Sequence, residues 1–284
     1  GWTTTANITV TLLIVALFGF YVRSLGQPLF IIMLLIMLPL AITELGTDSW
    51  ISDLMGPAMA QIGLQGGWIL VYTSTIMVIL RFCAGSIVHK ISPLGLLAVC
   101  SLIAAAGLYL LSFSAGVMIL VAATVFGLGK SFFWPTMLGV VAERFPKGGA
   151  LTLNITGGVG MIGAGILGAV ILGFVQDKTI DTKLKAYDKD NKTALHDTYV
   201  TEQKTSIFGK YQAIDVARLS NAPGQEKLAV ITVQENAKKS ALKTVALFPV
   251  GMLVCYIMLT LYFKSKGGYK VVLLNKDKEI PALE

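Results

Sequence analysis

A lysine in the middle of a long apolar run is the feature that most constrains what this chain can fold into. Residues 116–145 form one apolar stretch. Within it, Lys130 lies about 20 Å along a helix from both Gly116 and Glu143, at about 1.5 Å rise per residue. A charged side chain near the centre of a bilayer costs about 3 kcal/mol on insertion scales, so this lysine has to face protein or water. The stretch is therefore predicted to span a membrane and to carry a functional or ion-paired lysine.

The residues around Lys130 strengthen the prediction of a site. Trp134 follows one helical turn later on the same face, deeper than the interfacial belt in which membrane tryptophans concentrate. Gly127 and Gly129 permit close backbone approach, and Pro135 predicts a kink. The alternative is that Lys130 only pairs with a buried acid and joins two helices.

Composition assigns the chain to the polytopic membrane proteins. Hydrophobic residues make up 55% and charged residues 14%, against about 25% charged in soluble domains, and the mean hydropathy is +0.72. The net charge of +7 is interpreted through the position of Lys and Arg relative to the helices, so no nucleic-acid partner is predicted. The three cysteines lie in apolar segments without metal-ligand spacing, and neither a metal nor another cofactor is predicted.

Apolar runs near the length of about 20 residues that a bilayer requires predict an all-α bundle of seven transmembrane helices. The predicted spans are residues 8–22, 29–42, 67–88, 94–113, 116–145, 149–175 and 241–263. The second is expected to continue as a helix to about residue 52, which adds Glu44, Thr47, Asp48 and Trp50. Glu44 and Asp48 are four residues apart and share a helix face.

The spans divide the chain into five regions. Residues 1–27 hold the first span and a short cytoplasmic connection, 28–175 a five-helix membrane region, 241–263 the last helix and 264–284 a basic tail. Residues 176–240 are rich in Lys, Asp, Thr and Gln, which predicts either a small extramembrane subdomain or a flexible loop. His196 has no second His or Cys nearby and is predicted to be solvated.

The distribution of Lys and Arg predicts the orientation. Basic residues of the short connections and the tail fall on one side of a seven-span arrangement, whereas residues 51–66 and 112–115 carry none. The positive-inside rule therefore places the C-terminus in the cytoplasm and residues 176–240 outside it. The predicted location is the cell (inner) membrane.

A second charged group is expected at the cytoplasmic side. Arg81 lies about 12 Å of helix from His89, too deep for its charge to reach the surface fully. It needs a counter-charge, and Glu143 is the acid of the adjoining spans near that side. We predict a cytoplasmic cluster of Arg81, His89, Lys90 and Glu143.

Several of these residues resemble motifs of the major facilitator superfamily. Residues 85–93, with Gly85, His89 and Lys90, resemble a divergent copy of its Gly-x-x-x-Asp-Arg/Lys-x-Gly-Arg/Lys loop. In this chain His89 replaces the acid, and Ser-Pro replaces the Gly-Arg/Lys end. Gly127-x-Gly129, Pro135, residues 143–149 and the glycine-rich sixth span are similar to its tenth and eleventh helices. The resemblance covers residues 28–263.

The resemblance implies the carboxy-terminal six-helix half of a secondary transporter plus one extra helix, with the amino-terminal six-helix half as its missing partner. It implies alternating access, with a small polar solute such as a sugar or nucleoside held near the midplane. It adds Gly85 and Arg144 to the gating cluster. Coupling to protons or sodium ions is left open.

The solute site is predicted at the lysine and at the acid-rich end of the second span. Lys130 would hydrogen-bond the solute, Trp134 would form an aromatic wall, and Glu44 would compensate the lysine charge from a similar depth. The remaining predicted site residues are Thr47, Asp48 and Trp50.

Two other classes fit the sequence less well. A seven-helix receptor or photoreceptor matches the helix count, but a retinal Schiff base needs a lysine deep in the last helix, and Lys243 lies at its start. An intramembrane hydrolase needs a buried nucleophile with a base, or paired aspartates. Both histidines lie outside the span interiors, so an enzyme is not predicted.

Overall fold

The computed structural model describes residues 9, 10, 13, 27–85, 91–206 and 208–273 of the chain. The first predicted span, the predicted gating residues His89 and Lys90, and the end of the basic tail lie outside these residues, apart from the three isolated positions in the first span.

Within the described ranges the chain is helical apart from one hairpin. The helices are α1 Pro28–Ala41, α2 Thr47–Ala60, α3 Gly67–Phe82, α4 Pro93–Leu111, α5 Met118–Lys130, α6 Phe133–Arg144, α7 Gly149–Ile162, α8 Ala169–Asn191, α9 Leu195–Tyr199, α10 Val216–Ser220, α11 Gly224–Val245 and α12 Leu247–Ser265. The strands β1 Glu202–Ser206 and β2 Gly209–Ala213 pair antiparallel, with Glu202 opposite Ala213 and Ser206 opposite Gly209.

The prediction of an all-α membrane bundle is confirmed, whereas seven spans are not shown. Five helices of the described part are long and apolar enough to cross a membrane: Pro28–Asp53, Pro93–Leu111, Met118–Arg144, Pro146–Asn191 and Gly224–Ser265. The third predicted span, 67–88, is represented by α3, which ends at Phe82 after 16 residues. At about 1.5 Å per residue it rises about 24 Å, less than a bilayer core.

Two π-helical turns, each within a longer helical segment, contact each other. Ile42–Gly46 connects α1 to α2, and Gly163–Gly168 connects α7 to α8. Glycine lets the two segments approach, because a Cβ on Gly163 would lie 3.1 Å from Leu38 Cα. A π turn changes the rotation of the side chains that follow it, and it often marks a functional position.

Close backbone contact between α4 and α5 sets the position of Lys130 along the bundle. A Cβ added to Gly107 would lie 2.4 Å from the Phe126 nitrogen, and one added to Gly129 would lie 2.3 Å from the Ala104 nitrogen. Small residues of this kind drive helix packing in lipid, where no hydrophobic force draws helices together. The expected close approach at Gly129 is therefore present, directly beside Lys130.

Residues 176–240 have regular structure with a hydrophobic core of their own. Helix α8 continues past the apolar stretch, and α11 packs along it around Ile180, Leu184 and Val230. The hairpin lies over Phe174, whose ring is 5.0 Å from the Phe208 ring and 5.2 Å from the Tyr211 ring. Lys238 Nζ donates to Asp53 Oδ2 at 2.8 Å, which ties this region to α2.

His196 is buried inside this region, so the prediction that it is solvated is wrong. Only 8% of the residue is exposed, and its ring nitrogens lie 2.7 Å from Asp181 Oδ1 and 2.9 Å from Asp197 Oδ1. Partial burial of the Asp181 carboxyl acts to raise its pKa. The hydrogen bonds from His196 and Lys185 prevail and hold the pKa of Asp181 below its ordinary value. Its contribution to stability is therefore present above the pKa of an unfolded aspartate and is lost as the pH falls through the lowered value.

The predicted orientation can be tested on the hairpin. In a chain whose three native cysteines are replaced by alanine, a cysteine at Ser206 is expected to react with an impermeant maleimide added to intact cells, because the hairpin is predicted to lie outside the cytoplasm. A cysteine at Lys147, on the opposite side, serves as the control and is expected to react only after lysis. The reverse labelling pattern would contradict the orientation.

Candidate functional site

The Lys130 amine is paired with Asp48 in the interior of the bundle. Lys130 is 0% exposed, its Nζ donates to Asp48 Oδ1, and its charge lies 5.2 Å from the centroid of the Phe126 ring. Glu44 was predicted to compensate the lysine charge, whereas the acid that pairs directly with Lys130 is Asp48. The prediction of Glu44 rested on its depth along the helix. Glu44 lies within the π turn and Asp48 just after it, and a π turn changes the rotation of the side chains that follow it.

Glu44 is instead the partner of Arg81. Its Oε1 accepts a hydrogen bond from Arg81 Nη2 at 3.1 Å, and its Oε2 accepts one from the Trp134 backbone N–H at 3.2 Å. The glutamate side chain is 3% exposed and that of the arginine 41%. Trp134 is the second residue of α6, so the carboxylate also lies at the positive end of that helix.

The break between α5 and α6 creates the acceptor that holds Arg81 in place. Ser131 and Phe132 separate the two helices. Pro135 has no N–H, so the carbonyl of Ser131, four residues earlier, lacks its helical donor. Arg81 Nε donates to that carbonyl at 2.9 Å. The helix is thus interrupted at Ser131 and Phe132, just before Pro135, and the freed backbone group becomes part of the charged site.

The two ion pairs form one cluster of alternating charge that joins three parts of the bundle. The acids Glu44 and Asp48 belong to the continuous helix of α1 and α2, Arg81 to α3, and Lys130 to α5. We call these four residues the charge cluster. Their charges sum to zero, which reduces the large cost of burying them in an apolar interior. Any movement of α3 or α5 relative to α2 has to stretch or exchange one of the pairs.

The other residues predicted to bind solute make internal contacts in this conformation. Thr47 Oγ1 donates to the Ile42 carbonyl at 3.3 Å, across the π turn. Trp50 packs against the apolar core. The Trp134 ring lies against α7, where a Cβ on Gly160 would be 2.7 Å from its Cη2 atom. Trp134 therefore links α6 to α7.

The predicted gating residues Arg81 and Glu143 share a cavity but not an ion pair. The cavity has a volume of about 300 Å³, and its other lining residues are Ala84, Pro93, Phe132, Pro135, Thr136, Gly139 and Val140. Arg81 is already bonded to Glu44, so their predicted pairing is wrong. Gly85 is exposed just beyond α3.

Glu143 and Arg144 bind the C-terminal tail, which the sequence did not indicate as part of a site. The Tyr269 hydroxyl donates to Glu143 Oε2 at 2.7 Å, and Arg144 Nη1 donates to the Lys270 carbonyl at 2.6 Å. The Arg144 guanidinium lies 4.8 Å from the centroid of the Phe263 ring. A single aromatic residue among the tail lysines, Tyr269, was the available signal, because a tail that serves only as a positive charge does not require an aromatic side chain.

Comparison with known proteins identifies the fold. No family model matches the sequence, and no curated protein matches it. The structure is similar to that of a bacterial homolog of the human lysosomal transporter Spinster, in an inward-facing and occupied conformation. The TM-score is 0.63 at 11% sequence identity, over 86% of this chain and 51% of that chain.

The match concerns the fold alone. The chain is a multi-pass integral membrane protein whose all-α bundle has a fold similar to that of this transporter homolog. It spans about half the length of the transporter that it matches.

Removal of the two partners of the outer ion pair is expected to have unequal effects. Arg81→Met leaves the buried Glu44 carboxylate without its counter-charge, and loss of one partner of a buried pair costs about 3–5 kcal/mol. Glu44→Gln is expected to cost less, because the Arg81 side chain is 41% exposed and borders the cavity. The midpoint of thermal unfolding in detergent measures both effects.

The control for this comparison is Glu143→Gln combined with Arg81→Met. The two residues line one cavity without bonding, so their effects are expected to add, whereas those of Arg81→Met and Glu44→Gln are not. Equal losses for the two single variants of the outer pair would contradict the assignment.

Proposed function

We propose that the chain is the carboxy-terminal half of a secondary active transporter that moves a small polar solute across the membrane by alternating access. The observation that carries the proposal is the charge cluster. It lies deep within apolar helices of a bundle whose fold matches that of a transporter. Intramembrane ionisable residues usually line a substrate or ion pathway.

A purely structural role does not account well for the cluster. Replacing a buried ion pair by apolar residues of similar size is often neutral or stabilising, so two such pairs are poorly explained by stability alone. Alternating access can account for the two ion pairs, because charges that exchange partners allow helices to adopt two arrangements without leaving a charge unpaired.

The cavity provides an approach to the cluster. Arg81 lines it and also binds Glu44, so a solute entering between α3 and α6 reaches the outer ion pair first. A volume of about 300 Å³ is at the lower end of the range for small-molecule sites. A sugar, a nucleoside or a metabolite of similar size is the proposed solute.

Lys130 and Asp48 form the inner part of the proposed site. Separation of α2 from α5 would expose the Lys130 amine as a donor for solute hydroxyl or carbonyl oxygens, with the Asp48 carboxylate as an acceptor. Glu44 and Asp48 are also the candidates for proton or sodium coupling. The amino-terminal half of the transporter is proposed to close the other side of the cavity.

The proposed location is the cell membrane, with the C-terminus in the cytoplasm. The basic connection at Arg144 and Lys147 and the tail lysines support this orientation.

Neutralising the inner pair is expected to abolish transport while the protein still folds. The double variant Lys130→Met/Asp48→Asn removes both charges together, so no buried charge is left unpaired. The complete protein is reconstituted in proteoliposomes, and uptake of a panel of labelled sugars and nucleosides is measured. We expect saturable uptake of at least one solute by the unaltered protein and a loss of about 100-fold or more in the double variant, since buried polar groups that bind a substrate typically account for factors of this size.

The matched control removes another Lys–Asp pair, Lys238 with Asp53, which joins α11 to the middle of α2. Lys238→Met/Asp53→Asn is expected to leave the uptake rate within about twofold of the unaltered protein, since an exposed pair contributes about 1 kcal/mol or less. Normal expression with unchanged affinity and rate in Lys130→Met/Asp48→Asn would exclude this pair from the solute site.

A further inference from the structure

A second cavity lies where the end of α4 meets α8 and α11. Its volume is about 520 Å³. It lies apart from the charge cluster and shares no lining residue with the first cavity. Its lining residues include Phe113, Lys183, Asp190, Asn236, Lys239 and Ser240.

The two lysines that line this cavity are half-buried and form no ion pair within the described part of the chain. These are Lys183 on α8 and Lys239 on α11. Burial lowers the pKa of the Lys239 amine, as expected for an ammonium group without a counter-charge. Lys243 lies one turn beyond Lys239, with its amine 5.7 Å from the centroid of the Tyr109 ring. The facing carboxylate is Asp190, so positive charge predominates.

The aromatic residues beside the cavity are of the kind found at a membrane surface. The Tyr109 and Phe113 rings pack edge to face at 5.5 Å and are 48% and 60% exposed. Exposed aromatic residues at a helix end are typical of the interfacial belt. The same face of α4 continues into the apolar region with Leu102 and Val99, which are 57% and 46% exposed. An uninterrupted lipid-facing stripe thus leads to the lysines.

We propose that this cavity binds the headgroup of an anionic phospholipid. The phosphate lies between the Lys183 and Lys239 amines, and the acyl chains follow the stripe from Phe113 to Val99. Asp190, Asn236 and Ser240 can accept or donate hydrogen bonds with headgroup hydroxyls, which favours a glycerol headgroup over a choline. The bound lipid joins α4 to the extramembrane helices, and this function is independent of the proposed transport.

The shared chemistry is a phosphate ester, and the experiment separates the lipid from a soluble ester. The purified full chain in neutral detergent is titrated with dioctanoyl phosphatidylglycerol, dioctanoyl phosphatidylcholine and glycerol phosphate, and dissociation constants are obtained from the thermal shift. We expect phosphatidylglycerol to bind at least about tenfold more tightly than phosphatidylcholine, since two lysines near the surface each contribute about a factor of five. Glycerol phosphate, which lacks chains, is expected to bind more weakly than the lipid.

Variants assign the effect to the two lysines. Lys183→Gln/Lys239→Gln is expected to weaken phosphatidylglycerol binding by about 25-fold, at about fivefold for each charge. Lys183→Arg/Lys239→Arg is expected to retain binding. The control is Lys189→Gln, an exposed lysine on α8 that does not line the cavity. Should the glutamine variant melt early without lipid, Ser240→Phe, which fills the cavity and keeps both lysines, takes its place and is expected to lose binding.

Three results would overturn the proposal. Equal binding of the two lipids would exclude an anionic headgroup. Unchanged affinity in Lys183→Gln/Lys239→Gln, or in Ser240→Phe, would exclude this cavity. Glycerol phosphate binding as tightly as phosphatidylglycerol would assign the site to a soluble phosphate ester and exclude a lipid.

Discussion

The structure depends on one constraint, which is that a charge placed among apolar helices has to be compensated within reach of its own side chain. Lys130 is fully buried, and the bundle supplies Asp48 to pair with it. Asp48 shares its helix with Glu44, and this second acid requires a second cation, Arg81. Buried backbone groups are also compensated. Arg81 donates to the Ser131 carbonyl, which Pro135 leaves without a helical donor, and Glu44 accepts from the Trp134 N–H.

The segments that carry these charges are also held at their other ends. Helix α2 is joined to α11 through Asp53 and Lys238. Helix α6 is bound to Glu44 at its start and to the C-terminal tail, through Tyr269, at its end. Helices α2 and α6 thus contact segments outside the charge cluster as well as the cluster itself. This is an arrangement from which a two-state rearrangement can be built, provided that each pair has an alternative partner.

Much of this could be predicted from the sequence, because apolar length and intramembrane charge are strong signals. The spans around Lys130, its exclusion from lipid, the break at Pro135 and the close contact at Gly129 follow from residue type and spacing alone. The pairing of Lys130 with Asp48 and of Arg81 with Glu44 could not be predicted from residue spacing. It depends on a π turn at Ile42–Gly46, which residue spacing does not reveal, and on the reach of Arg81 across the gap after α5. The burial of His196 and the binding of the tail by Glu143 depend on contacts between distant segments, for which a single sequence holds no periodic signal.

The most direct test of the account is a thermal-unfolding cycle on the inner pair. The midpoints of Lys130→Met, Asp48→Asn and the double variant are compared with that of the unaltered protein in the same detergent. If the two residues compensate each other, the double variant unfolds at a higher temperature than either single variant, with a coupling free energy of about 1 kcal/mol or more. If the stability losses of the two single variants add up in the double variant, Lys130 and Asp48 are not partners, and the assignment of the charge cluster is wrong.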